Sequence, residues 1–125
     1  MIWTLSQVAL GGALGAALRY LTNLGALRLV GPGFPAGTMT VNVLGCLAMG
    51  ALAAFLAHKG AMRLAPFLMT GVLGGYTTFS AFALDAVNLW DRGQTAVAVA
   101  YVLGAVLLSL AALMAGLHLM RGVLA

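Results

Sequence analysis

The run from Leu64 to Leu84 carries no charge, and in its middle stands Gly74-Gly75-Tyr76-Thr77-Thr78-Phe79-Ser80-Ala81-Phe82. An apolar stretch of this kind reads as a membrane-crossing helix, for which about 20 residues suffice. Paired glycines followed by three hydroxyls at mid-span do not suit a lipid-facing helix. Backbone that leaves the helical pattern at membrane depth is tolerated only where protein buries it or where it borders a watery cavity. In small transporters and channels such broken helices build the ion site. The centre of the third apolar segment is therefore where the chemistry is expected.

Composition places that segment in a bilayer. Of 125 residues, 63% are hydrophobic and 6% are charged, against roughly 25% charged in soluble domains. Sliding-window logic marks four spans at about 2–22, 37–57, 64–89 and 95–120. Joined by short loops, they form a single all-α transmembrane domain covering 1–125. Four helices are too few to enclose a pore alone, so a homo-oligomer is expected. Met1 to Leu10 lacks the basic residues of a signal peptide and reads as part of a retained first helix. Cys46 has no partner in the chain, which excludes an intrachain disulfide and a cysteine metal site. The net charge of +4 comes from basic residues spread over helix ends and loops. That distribution points to lipid headgroups rather than nucleic acid.

Those charges barely choose an orientation. Lys59, Arg63 and Arg121 fall on one side of the membrane; Arg28 and Arg92 fall on the other, with Arg19 near the end of the first span. Orientation follows a bias of Lys and Arg toward the cytoplasm. With that bias almost absent, two outcomes stand: insertion both ways to give an antiparallel homodimer, or a fixed topology set by one charge.

Polar residues inside the spans mark the other candidates. Gly11 and Gly15 have the small-xxx-small spacing that lets another backbone approach, and Gly71 and Gly75 repeat it. Arg19 either snorkels or pairs structurally, or it contacts an ion. Thr38 and Asn42 are four apart and share a helix face; that stripe reads as pore lining or as an interhelical hydrogen bond. A break at Gly74–Thr78 would leave carbonyls that attract a cation on one side, and amides and hydroxyls that favour an anion on the other. Phe79 and Phe82 share a face beyond the break. They either face lipid and core, or turn their electropositive ring edges to an anion. Asp85 continues that face and is expected to meet a basic group. Tyr101 and Ser109, eight apart, fall on roughly one side of the fourth span. His118 and Arg121 read as interfacial.

Taken together, these motifs resemble the small bacterial fluoride channels, the Fluc or CrcB family. The likeness covers the whole chain. It rests on Gly11-Gly12 through Arg19-Tyr20, on Gly37-Thr38-x-x-Val41-Asn42-x-x-Gly45, and on Gly71-x-x-Gly74-Gly75-x-Thr77-Thr78-Phe79-Ser80-x-Phe82. The resemblance implies a dual-topology antiparallel homodimer in the bacterial inner membrane, with two pores and a third helix broken at mid-membrane. It implies a structural sodium ion at the dimer centre, held by the main-chain carbonyls of Gly74 and Thr77. Phe79 and Phe82 would line the fluoride path, Asn42 would be a polar pore residue, and Tyr101 and Ser109 would form a polar track with Thr78 and Ser80 nearby. Arg19 would draw the anion toward the mouth. Ala105 and Asp85 depart from the family pattern, where a polar residue and Glu are common.

The implied role is passive export of cytoplasmic fluoride, driven by an inside-negative potential. The rival is a small multidrug-resistance-type proton-coupled cation exporter, also a four-span antiparallel dimer, which needs a membrane-embedded Glu in its first helix; none is present here. A small membrane enzyme such as a lipid kinase would need more carboxylates than Asp85 and Asp91 to bind magnesium and activate a hydroxyl.

Overall fold

The computed structural model describes residues 1–125 and is helical almost throughout. Helix α1 spans Ile2–Val30, and α2 spans Ala36–Lys59. A short 3₁₀ turn, Met62–Leu64, leads into a π-wound segment, Pro66–Leu73, continued by the brief α3, Gly74–Tyr76. Thr77 and Thr78 are then extended, at φ −82°, ψ 157° and φ −153°, ψ 118°. Helix α4 restarts at Phe79 and runs to Asp91, and α5 spans Thr95–Leu124. The expected interruption is therefore present, confined to two threonines.

The outer helices overrun their expected ends because nothing stops them earlier. Beyond residue 22 the first breaker is Gly31-Pro32, where Gly31 takes φ 85°. Helix α2 closes on Gly60 in the left-handed conformation, φ 64°, ψ 24°, which a residue without Cβ adopts freely. Pro66 opens the π-wound segment, where its missing N–H costs nothing.

Three stretches are long and apolar enough to cross a membrane: Ala36–Lys59, the interrupted Met62–Asp91, and Thr95–Leu124. Helix α1 is the least apolar of the four expected spans. It has the length, at 29 residues, but Gln7, Arg19 and its glycines and hydroxyls dilute its hydropathy. It packs along the π-wound half of the third span. Only 17 of 125 residues are buried, and large apolar side chains are exposed on every long helix. A surface of that kind needs lipid or another subunit to cover it.

Glycines set the helix approaches. A Cβ on Gly11 would strike the Phe67 carbonyl and Gly71 Cα; one on Gly15 would strike the Val72 carbonyl and the Tyr76 amide. A Cβ on Gly75 would meet the Gly12 carbonyl. The two small-xxx-small motifs thus face each other, α1 against the third span, as their spacing suggested. The α2–α5 pair repeats the device: Gly50 lies on the Leu113 carbonyl and Gly116 on the Leu47 carbonyl. Backbone cannot yield as a side-chain tip can, so Gly15→Ala will cost about 1–3 kcal/mol of overpacking. The thermal midpoint of the purified protein checks this, with half-buried Gly12→Ala, whose Cβ meets nothing, as the near-neutral control.

Candidate functional site

The backbone groups freed at the break divide into those with partners and those without. The upstream half ends at Tyr76, and one turn back the Leu73 carbonyl accepts from both the Thr77 amide (3.0 Å) and the Thr77 hydroxyl (2.9 Å). The Thr77 methyl then sits where a Cβ on Gly45 would be, so α2 needs glycine there. One residue on, the Thr78 hydroxyl accepts from the Ala81 amide at 3.2 Å and caps the N-terminus of α4. The adjacent threonines therefore cap opposite ends of the break. The Ser80 hydroxyl lies 3.3 Å from that of Thr78.

Asn42 joins the two halves. Its Oδ1 accepts from the Thr78 amide at 2.8 Å, and its Nδ2 donates to the Thr78 carbonyl at 3.0 Å. One side chain thereby satisfies both backbone groups of the residue that has left the helix. Only one orientation of the amide can do so. Asn42 is consequently a clamp on the break as well as a group facing the cavity beside it.

From the other side, α1 reaches the same segment. Arg19 Nε donates to the Gly75 carbonyl at 3.1 Å, and the Thr22 and Tyr76 hydroxyls meet at 3.1 Å. With the Leu73, Gly75 and Thr78 carbonyls engaged, those of Gly74, Tyr76 and Thr77 accept no hydrogen bond within the chain. The amides of Phe79 and Ser80 likewise find no acceptor. Free carbonyls carry partial negative charge and free amides partial positive charge, so the two poles expected of a break are both present. No three His, Cys, Asp or Glu side chains converge anywhere. The oxygens offered to a cation here are main-chain ones, suited to a hard ion such as sodium.

Two cavities flank this region. A central one of about 230 Å³ is lined by Asn42, Cys46, Thr77, Thr78, Phe79, Phe82, Ala105, Val106 and Ser109. It brings together Asn42, Thr78, both phenylalanines and Ser109 from three helices. A second, of about 270 Å³, lies at the α1–α2 turn and includes Asn23, Phe34, Gly37, Thr38, Asp85 and Arg92. The buried Asn23 Oδ1 has no hydrogen-bond partner. Thr38 and Asn42, expected on one stripe, thus open onto different cavities.

Tyr101 and Ser109 part in the same way. Tyr101 is 1% exposed, packed behind Phe82, while Ser109 faces the central cavity. The Tyr101 hydroxyl donates to Asp85 Oδ2 at 3.2 Å, with Thr38 beside it. Asp85 therefore takes a phenol, where a basic partner was expected. Four rings run in file between the cavities: Phe79–Phe82 at 5.5 Å, Phe82–Tyr101 at 5.4 Å and Tyr101–Phe34 at 5.6 Å, the last edge-to-face at 88°. Phe34 escaped the sequence reading because it follows Gly33 in a turn with no helical period. Arg19 lines neither cavity and lies at the break.

The elements define a class: a small, multi-pass α-helical membrane protein organised around a discontinuous helix. Comparison with known proteins makes that class specific. The family model described as "CrcB-like protein, Camphor Resistance (CrcB)" matches residues 6–117, and the chain belongs to that family. It is 65% identical over 122 residues to the "Fluoride-specific ion channel FluC" of Paracoccus denitrificans (strain Pd 1222), covering 98% of each chain. The protein of the same description from Cereibacter sphaeroides (strain ATCC 17029 / ATH 2.4.9) is 66% identical with equal coverage. That from Ruegeria sp. (strain TM1040) is 54% identical over 125 residues, 99% of each. The chain is thus a multi-pass bacterial inner-membrane protein in a family of channels rather than enzymes.

Proposed function

We propose that this chain forms a fluoride-selective channel that lets cytoplasmic fluoride leave passively. The observation that carries the reading is the open break. Unpaired carbonyls at Gly74, Tyr76 and Thr77 and unpaired amides at Phe79 and Ser80 lie at mid-span, beside a Phe79 that is 78% exposed. Lipid cannot satisfy such groups, and a second copy of the chain can cover them. The near-equal distribution of basic residues favours an antiparallel copy, which gives a dimer with two pores.

On this reading the anion moves along the hydroxyls of Thr78, Ser80 and Ser109 and the edges of Phe79 and Phe82, with Asn42 at the centre. It reaches the outer cavity past Tyr101 and Thr38. Phenyl edges are electropositive without binding strongly, and conduction needs sites that attract an ion and still release it. The guanidinium of Arg19 adds positive potential nearby. A sodium ion bound by the Gly74 and Thr77 carbonyls would neutralise their partial charge and tie the two subunits together. A multidrug-resistance-type exporter finds no support, since α1 holds no acidic residue.

The test is anion efflux from liposomes carrying the purified protein, followed with a fluoride electrode and a matched chloride control. Fast, voltage-driven fluoride release with little chloride leak is expected. No fluoride release from well-reconstituted protein would overturn the reading.

A further inference from the structure

We infer that Arg19 is a positioning residue for the cation site, acting through the hydrogen bond of its Nε to the Gly75 carbonyl. The inference rests on the proposal above that main-chain oxygens at the break hold a cation. Four consecutive carbonyls, from Gly74 to Thr77, lie where the upstream half-helix runs out. Three of them accept no hydrogen bond in the chain, and the fourth, that of Gly75, is held by Arg19 at 3.1 Å. Arginine thus withdraws one oxygen from the set that a cation can use. It also ties α3 to α1, where Gly75 is already seated against the Gly12 carbonyl.

The number of oxygens decides which ion fits. A smaller oxygen set favours a smaller ion, and an extra flexible carbonyl accommodates a larger one. With Gly75 released, the break would offer four free carbonyls per chain and would discriminate less against potassium. Arg19 makes no ion pair with either acid of the chain, since Asp85 meets Tyr101 and Asp91 lies at the far end of α4. Its side chain makes no hydrogen bond other than that to Gly75.

Side-chain length separates the donor from the charge. Glutamine carries its N–H the same number of bonds from Cα as arginine Nε, without the charge. Lysine keeps the charge but places carbon at that position, and methionine supplies neither. The experiment is thermal unfolding of the purified, detergent-solubilised protein titrated with sodium or potassium chloride at constant ionic strength. The readout is the ratio of the concentrations giving half-maximal stabilisation. Arg19→Gln is expected to keep the sodium preference of the native protein within about threefold. Arg19→Met and Arg19→Lys are expected to lose about tenfold of it, the scale of one charge-assisted hydrogen bond.

An unchanged preference in all three variants would overturn the inference. Preservation in Arg19→Lys with loss in Arg19→Gln would also overturn it, by assigning the effect to charge. If the native protein is stabilised equally by every monovalent cation, the cation site itself falls and the inference with it. If sodium stabilises the native protein and all three variants alike, the site stands and only the role of Arg19 fails.

Discussion

Asn42→Leu is expected to lower both flux and stability, because leucine leaves the amide and carbonyl of Thr78 without partners. Each of those groups is engaged by one atom of the Asn42 side chain, at 2.8 and 3.0 Å. A backbone group stripped of its partner costs about 1–3 kcal/mol when fully buried, and Thr78 is half-buried, so the lower end of that range applies to each. Two together threaten the local geometry of the break, and the capping bond from the Ala81 amide to the Thr78 hydroxyl would loosen with it. A residue that only lined the pore would, on this substitution, lower conduction more than stability; the clamp adds a loss of stability of its own. Asn42→Asp separates the parts: it keeps an acceptor for the Thr78 amide but sets a carboxylate against the Thr78 carbonyl and into the anion path. Its midpoint should fall between those of the native protein and Asn42→Leu, with flux as low as in the leucine variant. Thermal midpoints measured beside liposomal fluoride efflux decide the matter. A leucine variant of native midpoint and reduced flux would restore the pore-lining reading and remove the clamp.

What the sequence made legible, and what it hid, follows from the range of the interactions. The break showed itself because Gly74-Gly75 and the hydroxyls after it contradict their apolar surroundings locally. The glycine pairs were readable for the same reason, since a four-residue spacing is a property of one helix. The partners of the break were not readable. Asn42 meets Thr78 and Arg19 meets Gly75 across 36 and 56 residues, and those pairings depend on how helices slide and rotate against one another. Helices apolar on all sides carry little periodic signal about which face turns inward. Tyr101 and Ser109, eight apart, share one side of α5 by spacing, yet the first lies behind Phe82 and only the second opens to the cavity. The division of labour between Thr77 and Thr78 needed the backbone itself: two adjacent hydroxyls cap opposite half-helices only because both residues are extended. The π winding of Pro66–Leu73 had no sequence sign beyond the proline that opens it.

The two phenylalanines should respond differently to the same substitution, and that difference tests the aromatic path. Phe79 is 78% exposed within the chain, whereas Phe82 is 9% exposed and stacks at a tilt on Tyr101, 5.4 Å away. Phe79→Ile removes a ring with few partners in its own chain, so any fall in thermal midpoint should come from contacts with the covering copy and stay below that of Phe82→Ile. Fluoride flux should nonetheless fall at least about tenfold, equivalent to about 1.4 kcal/mol on the barrier, because isoleucine has no electropositive edge to offer. Phe82→Ile should cost the same flux and, in addition, about 1–3 kcal/mol of stability, since a branched side chain replaces a flat ring in a packed file. The coupling between the two is informative as well. Their centroids lie 5.5 Å apart, close enough to serve one ion in succession. The double variant should therefore lose less flux than the product of the single losses. Native flux in Phe79→Ile would refute the edge argument at the position less packed within the chain.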